Sequence, residues 1–103
     1  MKIFIPHIFY TVYLKDIKKT KGDAKEFLDR GFTACAEKVD KNTSNIYIEF
    51  PVTPKSHGTV LHEVIHVIGH ICQDRDISFI NEEEHVAYIA QYIFNRITGY
   101  EYE

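Results

Sequence analysis

The stretch VLHEVIHVIGHIC, residues 60–72, decides how this chain is read. Val60, Leu61, Val64, Ile65, Val67, Ile68 and Ile71 run nearly all round a helix of 3.6-residue period, which predicts a buried helix from Val60 to Cys72. Set into that apolar run are His62, Glu63 and His66. Residues four apart share one helical face, so the two imidazoles can meet the same ion. Glu63 sits beside them, positioned to take a proton from water that the ion polarises without occupying the ion itself. Two neutral imidazoles and one carboxylate from another element leave a fourth position open, which is the donor set of a catalytic zinc. The plainer alternative is that these are the polar residues of an ordinary helix. Two points weigh against it. Random ordering of this composition gives about 0.03 such patterns, and a carboxylate with two imidazoles in an apolar helix is costly without a metal or a hydrogen-bond network.

Downstream, Gln73 to Ser78 reads as a polar loop, and Asn81 as the cap of a last helix from Glu82 to about Thr98, ended by Gly99. That helix opens with Glu82, Glu83, Glu84 and His85. Acids favour the positive end of a helix dipole for its own sake, and only one of the three can face inward. The apolar stripe Ala87, Ile89, Ala90, Ile93, Phe94 and Ile97 leaves Glu84, Tyr88, Gln91 and Asn95 as one line at helical spacing. Glu84 is therefore the expected third ligand, with Tyr88 one turn along to orient it or to donate to a developing oxyanion. The plain reading of Tyr88 is a core aromatic. Glu83 is the fallback ligand, with His85 and Cys72 as further alternatives; a site of His62, His66 and Cys72 requires the helix to break at Gly69. His57, in the loop before the motif, and His70, one turn beyond His66 at the rim, could each stabilise an oxyanion, but neither carries a spacing constraint and each reads first as a surface or internally satisfied histidine.

Upstream, Thr59 is the expected cap of the motif helix. Ile46 to Phe50 alternates as a strand, and Pro51 and Pro54 suit an edge strand turning into a loop. Asn42 to Asn45 signals a turn and Phe32 to Lys38 is ambiguous between strand and helix, so a hairpin is expected here. Asp23 to Arg30 reads as a short helix stopped by Gly31, and Ile8 to Leu14 as the first strand. The apolar segment Met1 to Tyr10 is interrupted by Pro6 and His7 with no small-residue cleavage site after it, which argues against a signal peptide. No apolar run approaches the roughly 18 residues of a membrane span. A length of 103 residues fits one domain. The expected architecture is α+β: a small sheet of three or so strands covered by two long helices, with the metal held between those helices.

A net charge of −3 argues against nucleic acid as a partner, because that binding depends on a basic surface. The cluster Lys15, Lys18, Lys19, Lys21 and Lys25 is interrupted by Asp16, Asp23 and Glu26 and reads as a solvated face. Cys35 and Cys72 look like reduced core thiols, which makes a cytoplasmic setting the expectation.

The motif His62-Glu63-Val64-Ile65-His66 with a glutamate on the following helix resembles the gluzincin metallopeptidases, especially their minimal single-domain members. The phrase NEEEHVAYIAQY, residues 81–92, resembles small phage-encoded HExxH proteins. The resemblance covers Ile46 to Tyr92. It implies a zincin-like domain in which His62, His66 and Glu84 bind zinc and Glu63 is the base. It also implies a peptide or protein substrate paired along the Ile46 to Phe50 strand, and the host cytoplasm as location for a phage-encoded chain. Where many gluzincins carry an Asp or Asn four residues after the third ligand, this chain has Tyr88. The rival metzincin pattern is met by Gly69 but has Cys72 in place of its third histidine, and Met1 is the only methionine. The expected function is a zinc-dependent hydrolase, a metallopeptidase using Glu63. The alternative is a non-catalytic, metal-stabilised interaction protein, such as a phage-encoded binder of a host factor.

Overall fold

The computed structural model describes residues 1–20, 22–31 and 33–99. Strand Lys2–Ile5 (β1) turns Ile3 and Ile5 inward, and strand Tyr10–Asp16 (β2) does the same with Tyr10, Val12 and Leu14. Alternation of period two is what burial of one sheet face imposes. The strand expected at Ile8 to Leu14 begins at Tyr10, and an additional strand, β1, precedes it: residues Pro6–Ile8 form a 3-10 turn, and β1 and β2 are antiparallel across it. Helix Asp23–Asp29 (α1) follows, and Gly31 takes φ +90°, a left-handed conformation in which any Cβ is strained.

Strands Ala34–Asp40 (β3) and Thr43–Ile48 (β4) make the expected hairpin, which settles Phe32 to Lys38 as strand over its described part from Ala34. The turn falls earlier than expected, at residues 41–42, because the Asp40 carboxylate accepts from the Asn42 backbone N–H at 2.7 Å. Asn45 stays inside β4, where its side-chain amide donates to Glu37 and to the Tyr47 hydroxyl.

The sheet has four strands in the order β1-β2-β4-β3, with β4 parallel to β2 and antiparallel to β3. This corrects the expectation that the strand at Ile46 to Phe50 is an edge able to take a peptide. Thr43–Ile48 is paired on both sides, and among the described residues the free edges belong to β1 and β3. The prolines after it end the strand without marking an edge.

Helix His57–Asp74 (α2) begins two residues before Thr59, because the 3-10 turn Pro54–Ser56 leads straight into it; His57 is its first residue and not part of a loop. Helix Glu83–Thr98 (α3) starts after Glu82 and not after an Asn81 cap, and Gly99 ends it at φ +81°. His57 at the start of α2 meets Phe94 near the end of α3, with ring centroids 5.8 Å apart, so the two helices run antiparallel. Both pack on the sheet face that carries Ile3, Ile5, Val12 and Ile46. From α2 come Val60, Val64, Val67, Ile68 and Ile71, and from α3 Val86, Ile89, Ile93 and Ile97. Each such side chain contributes about 1.5–3 kcal/mol of burial. A second, smaller cluster joins Ile17, Tyr47 and Cys35. The result is a two-layer α+β domain. Among the described residues no helix is long and apolar enough to cross a membrane.

Candidate metal centre

The motif helix is less buried than its composition predicts. Leu61 and Ile65 are 50% and 54% exposed, and His62 and His66 are exposed as well, whereas Glu63 is 4% exposed. The difference follows from what lies beside α2. Its core face rests on the sheet, one flank on α3 and the other on β3, which leaves the outer ridge to solvent.

His62, Glu63 and His66 come together on the flank turned to β3, each offering a ligand atom within 4.8 Å of the others. The Nε2 atoms of His62 and His66 are 3.2 Å apart. Two zinc–nitrogen bonds of about 2.05 Å at a tetrahedral angle span roughly 3.3 Å, so the two rings already stand at the bite of a tetrahedral ion. The same distance also makes a hydrogen bond when one of the two nitrogens carries a proton. Burial pushes the Glu63 carboxyl above its ordinary value, and the two imidazoles pull it part of the way back. A carboxylate held in this way is a stronger proton acceptor than one in water.

The three residues open onto a cavity of about 270 Å³ whose other walls are Phe27 of α1, Ala34, Cys35 and Ala36 of β3, and His70 of α2. Ala34 and Ala36 register with Ile48 and Ile46, so they face the helices, and their small side chains leave the space that Glu63 and the histidines border. This wall was not anticipated. The signal was the small-residue run Ala34-Cys35-Ala36 within the segment of ambiguous periodicity. Cys35 registers with Tyr47, so its side chain turns to the other face and packs with Ile17 and Tyr47, where burial, followed by Glu63 and Glu37, raises the pKa of its thiol.

His70 is satisfied internally, as expected: its Nδ1 lies 3.0 Å from the hydroxyl of Ser44 on β4, which in turn lies 2.6 Å from the Tyr10 hydroxyl on β2. Burial, followed by the charge of Lys38, lowers the pKa of His70. One turn on, Asp74 pairs with Lys38 of β3. Arg75 donates to the carbonyls of Ile8, Phe9 and Lys41 and to the Asn42 side chain, clamping the end of α2 to two turns of the sheet.

The residues expected from α3 are placed elsewhere. No α3 residue lines the cavity, so the group does not lie between the two helices. Glu84 and Tyr88 are on the solvent side of α3, Tyr88 at 61% exposure, because the buried stripe is Val86, Ile89, Ile93 and Ile97. Counting back along the antiparallel pair from the His57–Phe94 contact, Glu84 is roughly level with the His66 turn, with Ile65 and Gly69 on the exposed ridge between them. The structure does not bring Glu84 into the group of three. Glu83 is exposed too, and His85 lies 3.8 Å from Glu82 with its ring tilted 46° against that of His7, centroids 5.3 Å apart. Cys72 packs against the core, and α2 runs unbroken through Gly69, so the break that a His62, His66, Cys72 site requires is absent.

No protein-family model matches this chain, and no curated protein and no solved structure is significantly similar to it.

Proposed function

We propose that the chain is a zinc-dependent hydrolase acting on peptides, with His62 and His66 seating the metal and Glu63 acting as the base. The observation that carries this reading is the 3.2 Å separation of two exposed imidazole nitrogens beside a buried carboxylate, at the mouth of a cavity. Zinc in that seat supplies a Lewis acid that polarises a carbonyl and makes water acidic. Glu63, desolvated and adjacent, takes the proton from water and returns it to the leaving amine.

The edge strand β3 supports a peptide as substrate. Ala34, Cys35 and Ala36 line the cavity, and β3 carries one unpaired edge, so an extended chain adding to that edge runs alongside the reacting groups. This moves the substrate track from the interior strand β4 to its neighbour.

The test is turnover of a fluorogenic peptide pool by zinc-loaded protein, wild type against Glu63→Gln. Cleavage that the Gln variant loses while still holding zinc supports the reading, and cleavage that survives in it contradicts the role of Glu63. A second reading, a metal-stabilised interaction protein, is favoured by the exposed apolar side chains Leu61, Ile65, Phe79, Ile80 and Tyr88. It predicts zinc bound without turnover.

A further inference from the structure

Tyr10, Ser44 and His70 form a chain of three polar groups reaching from the buried face of the sheet to the cavity wall. The Tyr10 and Ser44 side chains are fully buried, with oxygens 2.6 Å apart, and the Ser44 oxygen is 3.0 Å from His70 Nδ1. A buried hydroxyl whose hydrogen finds no acceptor costs about 1–3 kcal/mol, so the direction in which each hydrogen points can be counted. If His70 carried its proton on Nδ1, it would donate to Ser44. Ser44 would then have to donate to Tyr10, leaving the Tyr10 hydrogen without an acceptor, or both outer groups would donate to Ser44, leaving the Ser44 hydrogen without one. Only one direction uses every hydrogen: Tyr10 donates to Ser44, Ser44 donates to Nδ1, and the imidazole proton resides on Nε2. Nδ1 is then occupied from within the protein, and Nε2 is the ring nitrogen left for the cavity that His70 lines with His62, Glu63 and His66.

We propose that Tyr10 and Ser44 hold His70 in the tautomer protonated at Nε2, so that His70 presents a fixed N–H donor to a carbonyl or anionic oxygen occupying the cavity. The ligand half of this statement rests on the hydrolase reading above, and there His70 is the donor to the oxygen of the peptide carbonyl as charge develops on it. Tyr10 and Ser44 are positioning residues, and of the oxyanion donors expected from the sequence, Tyr88 or a histidine, the chain fixes the histidine. A donor aimed in advance requires no reorganisation when its acceptor arrives, which is the condition for selective stabilisation of developing charge.

The experiment has two arms. Long-range ¹H–¹⁵N NMR on the metal-free and the zinc-loaded protein reads which nitrogen of His70 carries the proton, with His70→Gln assigning the signal. The expected result is one unprotonated Nδ1 and one protonated Nε2 in the wild type, with the pattern averaging between tautomers in Ser44→Ala. A proton on Nδ1, or averaging in the wild type, overturns the proposal. In the second arm, acetohydroxamate is titrated into zinc-loaded wild type, His70→Gln and His70→Leu. Loss of one hydrogen bond to a charged oxygen weakens binding roughly tenfold or more in the Leu variant. The Gln variant, whose amide keeps a donor there, stays within about threefold of the wild type. Unchanged affinity in the Leu variant, or equal weakening in both, overturns the proposal. A wild type that takes up no zinc defeats the hydrolase reading instead, and the tautomer measurement then decides the proposal alone.

Discussion

The two halves of α2 treat their polar groups in opposite ways. In the first half, His62 and His66 stand exposed with only each other as side-chain hydrogen-bond partners among the described residues, and Glu63 is buried with those imidazoles acting on its charge. In the second half, His70 bonds Ser44, Asp74 pairs with Lys38, and Arg75 fills three backbone carbonyls and a side-chain oxygen. One helix therefore carries a lock at its end and unspent donors at its start. The lock fixes how α2 sits on the sheet, and that placement holds the unspent groups against β3. A carboxylate buried among apolar residues beside two exposed imidazoles costs folding free energy, and on the proposed reading that cost is offset by a bound metal.

The sharpest way to break this contrast is to open the lock. Arg75→Ala removes four hydrogen bonds and a guanidinium 5.5 Å from the centre of the Tyr10 ring. It is expected to cost about 3 kcal/mol in urea denaturation. A cost under about 1 kcal/mol would mean that the end of α2 is held by packing alone. Glu63→Gln acts in the other half, and the proposed hydrolase function predicts at least about a hundredfold loss of turnover by the zinc-loaded protein, with zinc retained. The same variant has a signature without metal. Because the folded pKa of Glu63 lies above its unfolded value, the folded chain binds more protons between the two. Stability of the metal-free wild type therefore falls as pH rises through that window and levels off above it. Glu63→Gln removes that fall and is more stable than the wild type at pH 7; thermal melts across pH 4 to 8 that are parallel for the two proteins would contradict it.

Lys38→Met leaves the Asp74 carboxylate, 8% exposed, without its cation. The cost is about 2 kcal/mol, lower than for a fully buried pair because the Lys38 side chain is a third exposed. The smallest effect sharpens the comparison most. His62→Ala in the metal-free protein should change stability by no more than about 0.5 kcal/mol, as expected for an exposed residue without a structural bond to the rest of the fold. A loss several times larger would make the imidazole pair part of the lock.

Much of this arrangement was legible in the sequence because period and punctuation agree there. The two long helices follow from 3.6-residue apolar spacing and the Gly99 stop, and the hairpin follows from the Ile46 alternation. The group of His62, Glu63 and His66 is a spacing within one helix, which a sequence shows directly. Misread were relations between elements. The parallel pairing of β2 with β4 is a long-range choice that places Thr43–Ile48 inside the sheet, and nothing local in that segment distinguishes an edge from a centre. The phase of α3 was misjudged by one position: counting Ala87 into the apolar stripe turned Glu84 and Tyr88 inward, whereas Val86 holds that place and the Ala87 side is exposed. Ser44 meets His70 across 26 residues of chain and Tyr10 across 34, contacts that no spacing rule announces.

The most direct test of the account is zinc uptake, measured as bound metal per chain and by calorimetric titration, for wild type, His62→Ala and His66→Ala, with Glu84→Ala alongside to measure what α3 adds. The account predicts one zinc per wild-type chain and loss of that site in each histidine variant. Zinc held as tightly without His62 and His66, or no zinc bound by the wild type at all, would contradict it.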